Sequence, residues 1–142
     1  MRYVTHILAR KGEKLISVNP ETRVLDALEI MADKNIGSII VLEDDRYLGL
    51  MTERDYARKV ILEGKHSIDT TISDIMSTDL PHVVPSDKTE KCRELMSERN
   101  IRYLPVFEEE TLCGIISIND ILKETILEKQ HTTDQLYDYI QS

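Results

Sequence analysis

The sequence predicts an α/β (α+β) fold built from two copies of one β-α-β-β-α unit. Three observations carry this. The chain repeats itself at an offset of 65 residues, with Val18 matching Val83, Pro20 Pro85, Met31 Met96 and Asp55 Asp120. Within each copy a helical apolar period is followed by two β-branched runs. The segment Gly-h-h-Ser/Thr-x-x-Asp, where h is apolar, then stands at corresponding points, Gly49–Asp55 and Gly114–Asp120. Two copies are too few for a solenoid. They suggest a pair related by a pseudo-two-fold axis and packed sheet to sheet.

Each element follows in order. A short strand is expected at Leu15–Val18 and again at His82–Val84. Val24, Ala27, Leu28 and Met31 share one helical face, and Cys92, Leu95 and Met96 do so in the second copy. Strands follow at Ser38–Leu42 and Tyr47–Met51, and at Tyr103–Phe107 and Leu112–Ile116, each pair joined by a short acidic turn. A second helix closes each copy, near Glu53–Glu63 and Ile118–Lys129. The organisation expected is repeat 1 over 5–63, a polar linker over 64–71, repeat 2 over 72–130 and a C-terminal helix over 131–142. Thr132, with Gln135 three residues on, is read as the cap that starts this last helix. Its apolar side, Leu136, Tyr137 and Ile140, suits packing on the pair or a subunit contact.

The 142 residues carry one Phe and no Trp, so an aliphatic core is implied. A net charge of −8 opposes binding to nucleic acid or anionic lipid. No apolar run reaches membrane-spanning length. The N-terminal residues lack an apolar signal core, which makes the cytoplasm the expected compartment. The four histidines have no metal-ligand spacing, and the acidic runs Glu43–Asp45 and Glu108–Glu110 fall in hairpin turns. No metal site is expected. No nucleophile and base are arranged for chemistry, so no catalytic residue is expected and no cofactor is required. Cys92 and Cys113 read as buried reduced thiols.

The repeated Gly-h-h-Ser/Thr-x-x-Asp segment carries the chemistry. A strand ends at the hydroxyl residue and a helix begins after it. Ser or Thr followed three residues later by an acid is a capping box, a structural feature in its own right. The same place offers helix N-terminal amides that suit a phosphate and a carboxylate that suits ribose hydroxyls. Arg54 adds a planar cation. Arg58, one turn on, reads either as an extension of a phosphate pocket or as a solvated helix charge.

These features together resemble the tandem cystathionine β-synthase (CBS) domain pair, or Bateman module, over about residues 5–130. The Asp33–Gly37 and Thr52–Lys59 runs are similar to those of small stand-alone bacterial CBS proteins and their plant organellar relatives. The resemblance implies a non-catalytic sensor that takes an adenosine nucleotide (AMP, ADP, ATP, NAD or S-adenosylmethionine) in the cleft between the two domains. It also implies a homodimer and a regulated partner protein of unknown identity. It places one site at Ser17, Val18, Gly37, Ser38, Ile39, Thr52, Arg54 and Asp55, with Arg58 nearby. It places a second at His82, Val83, Arg102, Tyr103, Leu104, Ser117, Asn119 and Asp120. The sites are unequal: Asn119 stands where the first copy has Arg54, Arg102 where it has Gly37, and Pro105 where it has Ile40. Site one is expected to be the tighter. The alternative is a scaffold or dimerisation protein that acts through protein contacts with its clefts empty.

Overall fold

The computed structural model describes residues 2–12 and 14–141. The chain divides into two units. Residues 15–80 form one; the N-terminal residues up to Lys14 join residues 81–141 to form the other.

In the first-repeat unit, strand β1 (Ser17–Val18) runs parallel to β2 (Ser38–Glu43), which pairs antiparallel with β3 (Arg46–Thr52) in the order β1-β2-β3. Helix α2 (Val24–Lys34) connects β1 to β2. Its apolar face, Val24, Ala27 and Met31, packs on Ile39, Val41 and Met51, with Val60, Ile72 and Ile75 closing the core. The helix stops at Asn35, which turns left-handed (φ 55°). The next amide, on Ile36, then donates 3.0 Å back to the Met31 carbonyl. Asn tolerates this conformation better than other non-glycine residues. Asn100 (φ 53°) and Ile101 end α4 (Thr89–Arg99) in the same way, which explains why the Asn-Ile pair repeats. Asp44 and Asp45, both at positive φ, make the two-residue β2–β3 turn.

The second repeat keeps its hairpin, β4 (Tyr103–Glu108) with β5 (Thr111–Ser117). Its expected first strand at His82–Val84 is reduced to one parallel bridge, Val83 to Val106. The Val83 amide donates to the Pro105 carbonyl and the Phe107 amide to the Val83 carbonyl.

Three further elements depart from the sequence reading. After β3, helix α3 (Glu53–Tyr56) widens into a π-helical turn at Ala57–Ile61 instead of running on regularly. The helix after β5, α5, is continuous from Ile118 to Gln141, so the break expected before Thr132 is absent. Thr132 and Thr133 do not cap. Their hydroxyls donate to the carbonyls of Glu128 (3.0 Å) and Lys129 (2.9 Å), one turn back, and the helix passes through them.

The third departure concerns the segment ahead of Leu15, where no element is expected. It forms helix α1 (Val4–Lys11) and belongs to the unit of the second repeat, not the first. Val4 and Ile7 are fully buried with Val83, Cys92, Met96, Leu104, Val106, Ile116 and Ile121, and Leu8 packs beside them.

Candidate functional site

The two strand-to-helix junctions are built alike. Ser38 pairs with Thr52 across β2 and β3, and Tyr103 pairs with Ser117 across β4 and β5. The first amide of each helix bonds the neighbouring strand's entry: Glu53 N–H to the Gly37 carbonyl at 3.1 Å, Ile118 N–H to the Arg102 carbonyl at 2.9 Å. Both repeats close a reciprocal capping box. In the first, the Thr52 amide donates to Asp55 Oδ2 (3.0 Å) and the Asp55 amide to Thr52 Oγ1 (3.1 Å). In the second, the Ser117 amide donates to Asp120 Oδ2 (2.8 Å) and the Asp120 amide to Ser117 Oγ (3.2 Å). Each junction therefore gathers a hydroxyl, a carboxylate and helix-start amides, as their types and spacing suggest.

The remaining expected site residues lie within the same two units at differing distances from these junctions. Ser17 and Val18 pair with Ile40 and Val41, two to three residues along β2 from Ser38. Ser17 is exposed, while Ile39 is buried and has only backbone to offer a ligand. Arg54 is half-buried beside Asp55, and Arg58 is exposed on the π-helical turn. In the other unit Leu104 and Val83 are buried, Arg102 and Asn119 are exposed, and the His82 ring meets Phe107 edge-on at 5.3 Å.

Side chains that the sequence reading did not single out hold the two carboxylates. Asp55 is 5% exposed. Besides the Thr52 amide it receives the Thr52 hydroxyl (3.1 Å), the Ser77 hydroxyl (2.9 Å to Oδ1) and the Lys59 ammonium (3.0 Å to Oδ1). Lys59 also donates to the Ile75 carbonyl at 2.9 Å. The Ser77 amide donates 2.9 Å to the Leu50 carbonyl, which lays this segment against Gly49. Asp120, 8% exposed, is held by Lys11 from α1, at 2.8 Å to Oδ2. The same ammonium donates to the Ile115 carbonyl at 2.7 Å. Both donors to Asp120 fall on Oδ2; among the described residues Oδ1 receives none.

The cause of this difference lies in one exchange between the copies. At the offset of 65, Lys59 corresponds to Glu124. The second repeat thus has a carboxylate where the first has its balancing ammonium. Glu124 is 1% exposed and is matched by Arg10, in direct contact, and by Arg2 at 3.7 Å. The N-terminal segment thereby brings three cations, Arg2 from ahead of α1 and Arg10 and Lys11 from α1 itself, to two buried acids that would otherwise be uncompensated. A sequence signal for this existed: an acid at the Lys59 position, four residues after the motif Asp, demands cations from elsewhere.

Burial pushes the Cys92 thiol up to about 11, so this sulfur stays protonated and unreactive near neutral pH. Among the described residues no three His, Cys, Asp or Glu side chains converge on a metal position. No helix among them is long and apolar enough to cross a membrane.

The model of the CBS domain matches residues 5–62 and 72–126. The chain is 34% identical over 123 residues to the mitochondrial CBS domain-containing protein CBSX3 of Arabidopsis thaliana, which covers 83% of this chain and 60% of that protein. The chain therefore spans less than two thirds of that relative. A solved CBS-domain protein from Burkholderia ambifaria superposes with a TM-score of 0.84 at 39% identity, covering 88% of this chain and 94% of the other. A hexameric CBS-CP12 protein from bloom-forming cyanobacteria gives 0.74 at 30% identity over 86% and 70% of the two chains. With both repeats matched, and the duplicated junction present in each, the chain belongs to the CBS-domain family.

Proposed function

We propose that the protein is a non-catalytic regulatory module that binds an adenosine nucleotide at its strand-to-helix junctions and passes that occupancy to a partner or an assembly. The observation that supports this best is the duplicated junction. A hydroxyl, the carboxylate of a buried Asp and helix-start amides recur in both units, a donor and acceptor set suited to a ribose phosphate. The Burkholderia relative, provisionally assigned to signal transduction, agrees with a regulatory role. AMP, ADP, ATP, NAD and S-adenosylmethionine all contain the adenosine that such a set would take.

A homodimer is part of this proposal. Each unit offers apolar positions suited to a second copy: Ile61 and Leu62 at the end of the π-helical turn in one, Leu122 and Ile126 on α5 in the other, all more than half exposed. The hexameric cyanobacterial relative shows that a related chain assembles.

The scaffold reading has one observation in its favour: Asp55 is fully engaged by protein donors. Thermal unfolding separates the two. A nucleotide at a hundredfold over its Kd adds about 2.7 kcal/mol of stability. An unmoved melting temperature with all five nucleotides would favour the scaffold. Asp55→Ala is expected to weaken binding at the first junction by about 1–3 kcal/mol, read by calorimetry. Unchanged affinity would remove Asp55 from the ribose contact.

A further inference from the structure

The second junction differs from the first in what holds its carboxylate, and the difference points to a ligand contact outside the repeated motif. In the first unit two side chains from the unit's own body do the work. The Ser77 hydroxyl bonds Asp55 while its backbone amide bonds the Leu50 carbonyl, and Lys59 adds its charge from the helix that follows. In the second unit a single ammonium, Lys11, spans the corresponding pair, the Ile115 carbonyl at 2.7 Å and Asp120 at 2.8 Å. The acid at 124 adds no cation there. Asn119, at the position of Arg54, adds none either.

We propose that Lys11 is the phosphate-binding cation of the second junction, with Asp120 Oδ1 free to accept a ribose hydroxyl. This rests on the nucleotide-binding reading above. Three facts carry it. Asp120 Oδ1 receives no donor among the described residues and is not sealed in the core, the side chain being 11% exposed, so one acceptor stays within reach of a ligand. Lys11 is the last residue of α1 and its side chain is 39% exposed, so the ammonium can turn without moving the helix. The helix itself is fixed by Val4 and Ile7 in the core and by the Arg10–Glu124 pair, none of which involves Lys11. An ammonium held beside the start of α5 is thus carried on a rigid support and has one N–H beyond its two present bonds. The ligand class is a ribonucleotide with a 5′-phosphate. A nucleoside without phosphate would gain nothing from Lys11.

The test is a nuclear magnetic resonance titration of the full chain with AMP and with adenosine. It compares the unaltered protein, Lys11→Met and Lys11→Arg. The amides of Ser117–Asp120 report the second junction, and those of Thr52–Asp55 report the first. The expected result is a loss of about tenfold in AMP affinity at Ser117–Asp120 in Lys11→Met. Adenosine affinity there should be unchanged, Lys11→Arg should retain AMP, and Thr52–Asp55 should respond as before. Equal losses for AMP and adenosine would show that Lys11 merely steadies Asp120 and would overturn the assignment. So would unchanged AMP affinity. If Thr52–Asp55 respond to AMP in the unaltered protein and Ser117–Asp120 do not, this inference fails while the nucleotide-binding reading survives. If neither responds, that reading falls too.

Discussion

Gly49 and Gly114 hold the same position in the two repeats, in strands β3 and β5, but the neighbours they admit differ. A Cβ on Gly49 would lie 2.6 Å from the Ser77 backbone carbonyl. On Gly114 it would lie 3.0 Å from the tip of the Leu8 side chain. Backbone tied into a two-way hydrogen-bonded bridge cannot yield, whereas a leucine methyl can shift. Gly49→Ala is therefore expected to cost about 2–3 kcal/mol and Gly114→Ala about 1 kcal/mol or less, measured by urea unfolding. Equal costs would contradict this account. Asp55 also has a structural side: removing its carboxylate strands donors from Thr52, Ser77 and Lys59, so Asp55→Ala loses stability as well as ligand. The sequence made Thr52, Asp55, Ser117 and Asp120 legible because a capping box is a local pattern. Lys11 was not legible: it reaches Asp120 across 109 residues, and no local spacing encodes that.

Among the elements, the hairpin strands and the α2 and α4 helices follow from their hydrophobic period, which is why they were readable; their Asn stops are evident in the structure. Helix α1 was not read from the sequence, although Val4, Ile7 and Leu8 have helical spacing. What the sequence hid was which repeat it serves. The false start at Thr132 shows the opposite error. Thr-x-x-Gln satisfies a capping rule, but a hydroxyl that bonds the carbonyl four residues back is equally compatible with a helix interior. The α1–α5 contact gives a further test. Arg10→Ala leaves Glu124 buried and short of a partner and is expected to destabilise by about 2–3 kcal/mol. This is below the usual figure for a broken buried pair because the Arg10 side chain is 33% exposed and Arg2 remains nearby. The same change in a Glu124→Leu background should cost much less. Equal losses in both backgrounds, from urea midpoints, would mean that the pair is not coupled.

At the scale of the whole molecule, the unit of residues 15–80 is continuous in sequence, and the other is assembled from segments on either side of it. A chain that begins at Leu15 is expected to lose amide-exchange protection in β4, β5 and the first turns of α5. There the burial supplied by Val4, Ile7 and Leu8 disappears, along with the cations on Asp120 and Glu124. Protection in β2 and β3 should persist. Uniform loss across both units, measured by deuterium uptake, would contradict this division.

The split also sets a timetable on the ribosome. Residues 15–80 have everything their core requires once they emerge. Helix α1 leaves first but must wait for Asp120, 109 residues later, roughly 5–20 s at ordinary elongation rates. During that interval its greasy side has no home, so the nascent chain presents a short sticky segment to chaperones until the last repeat arrives to claim it.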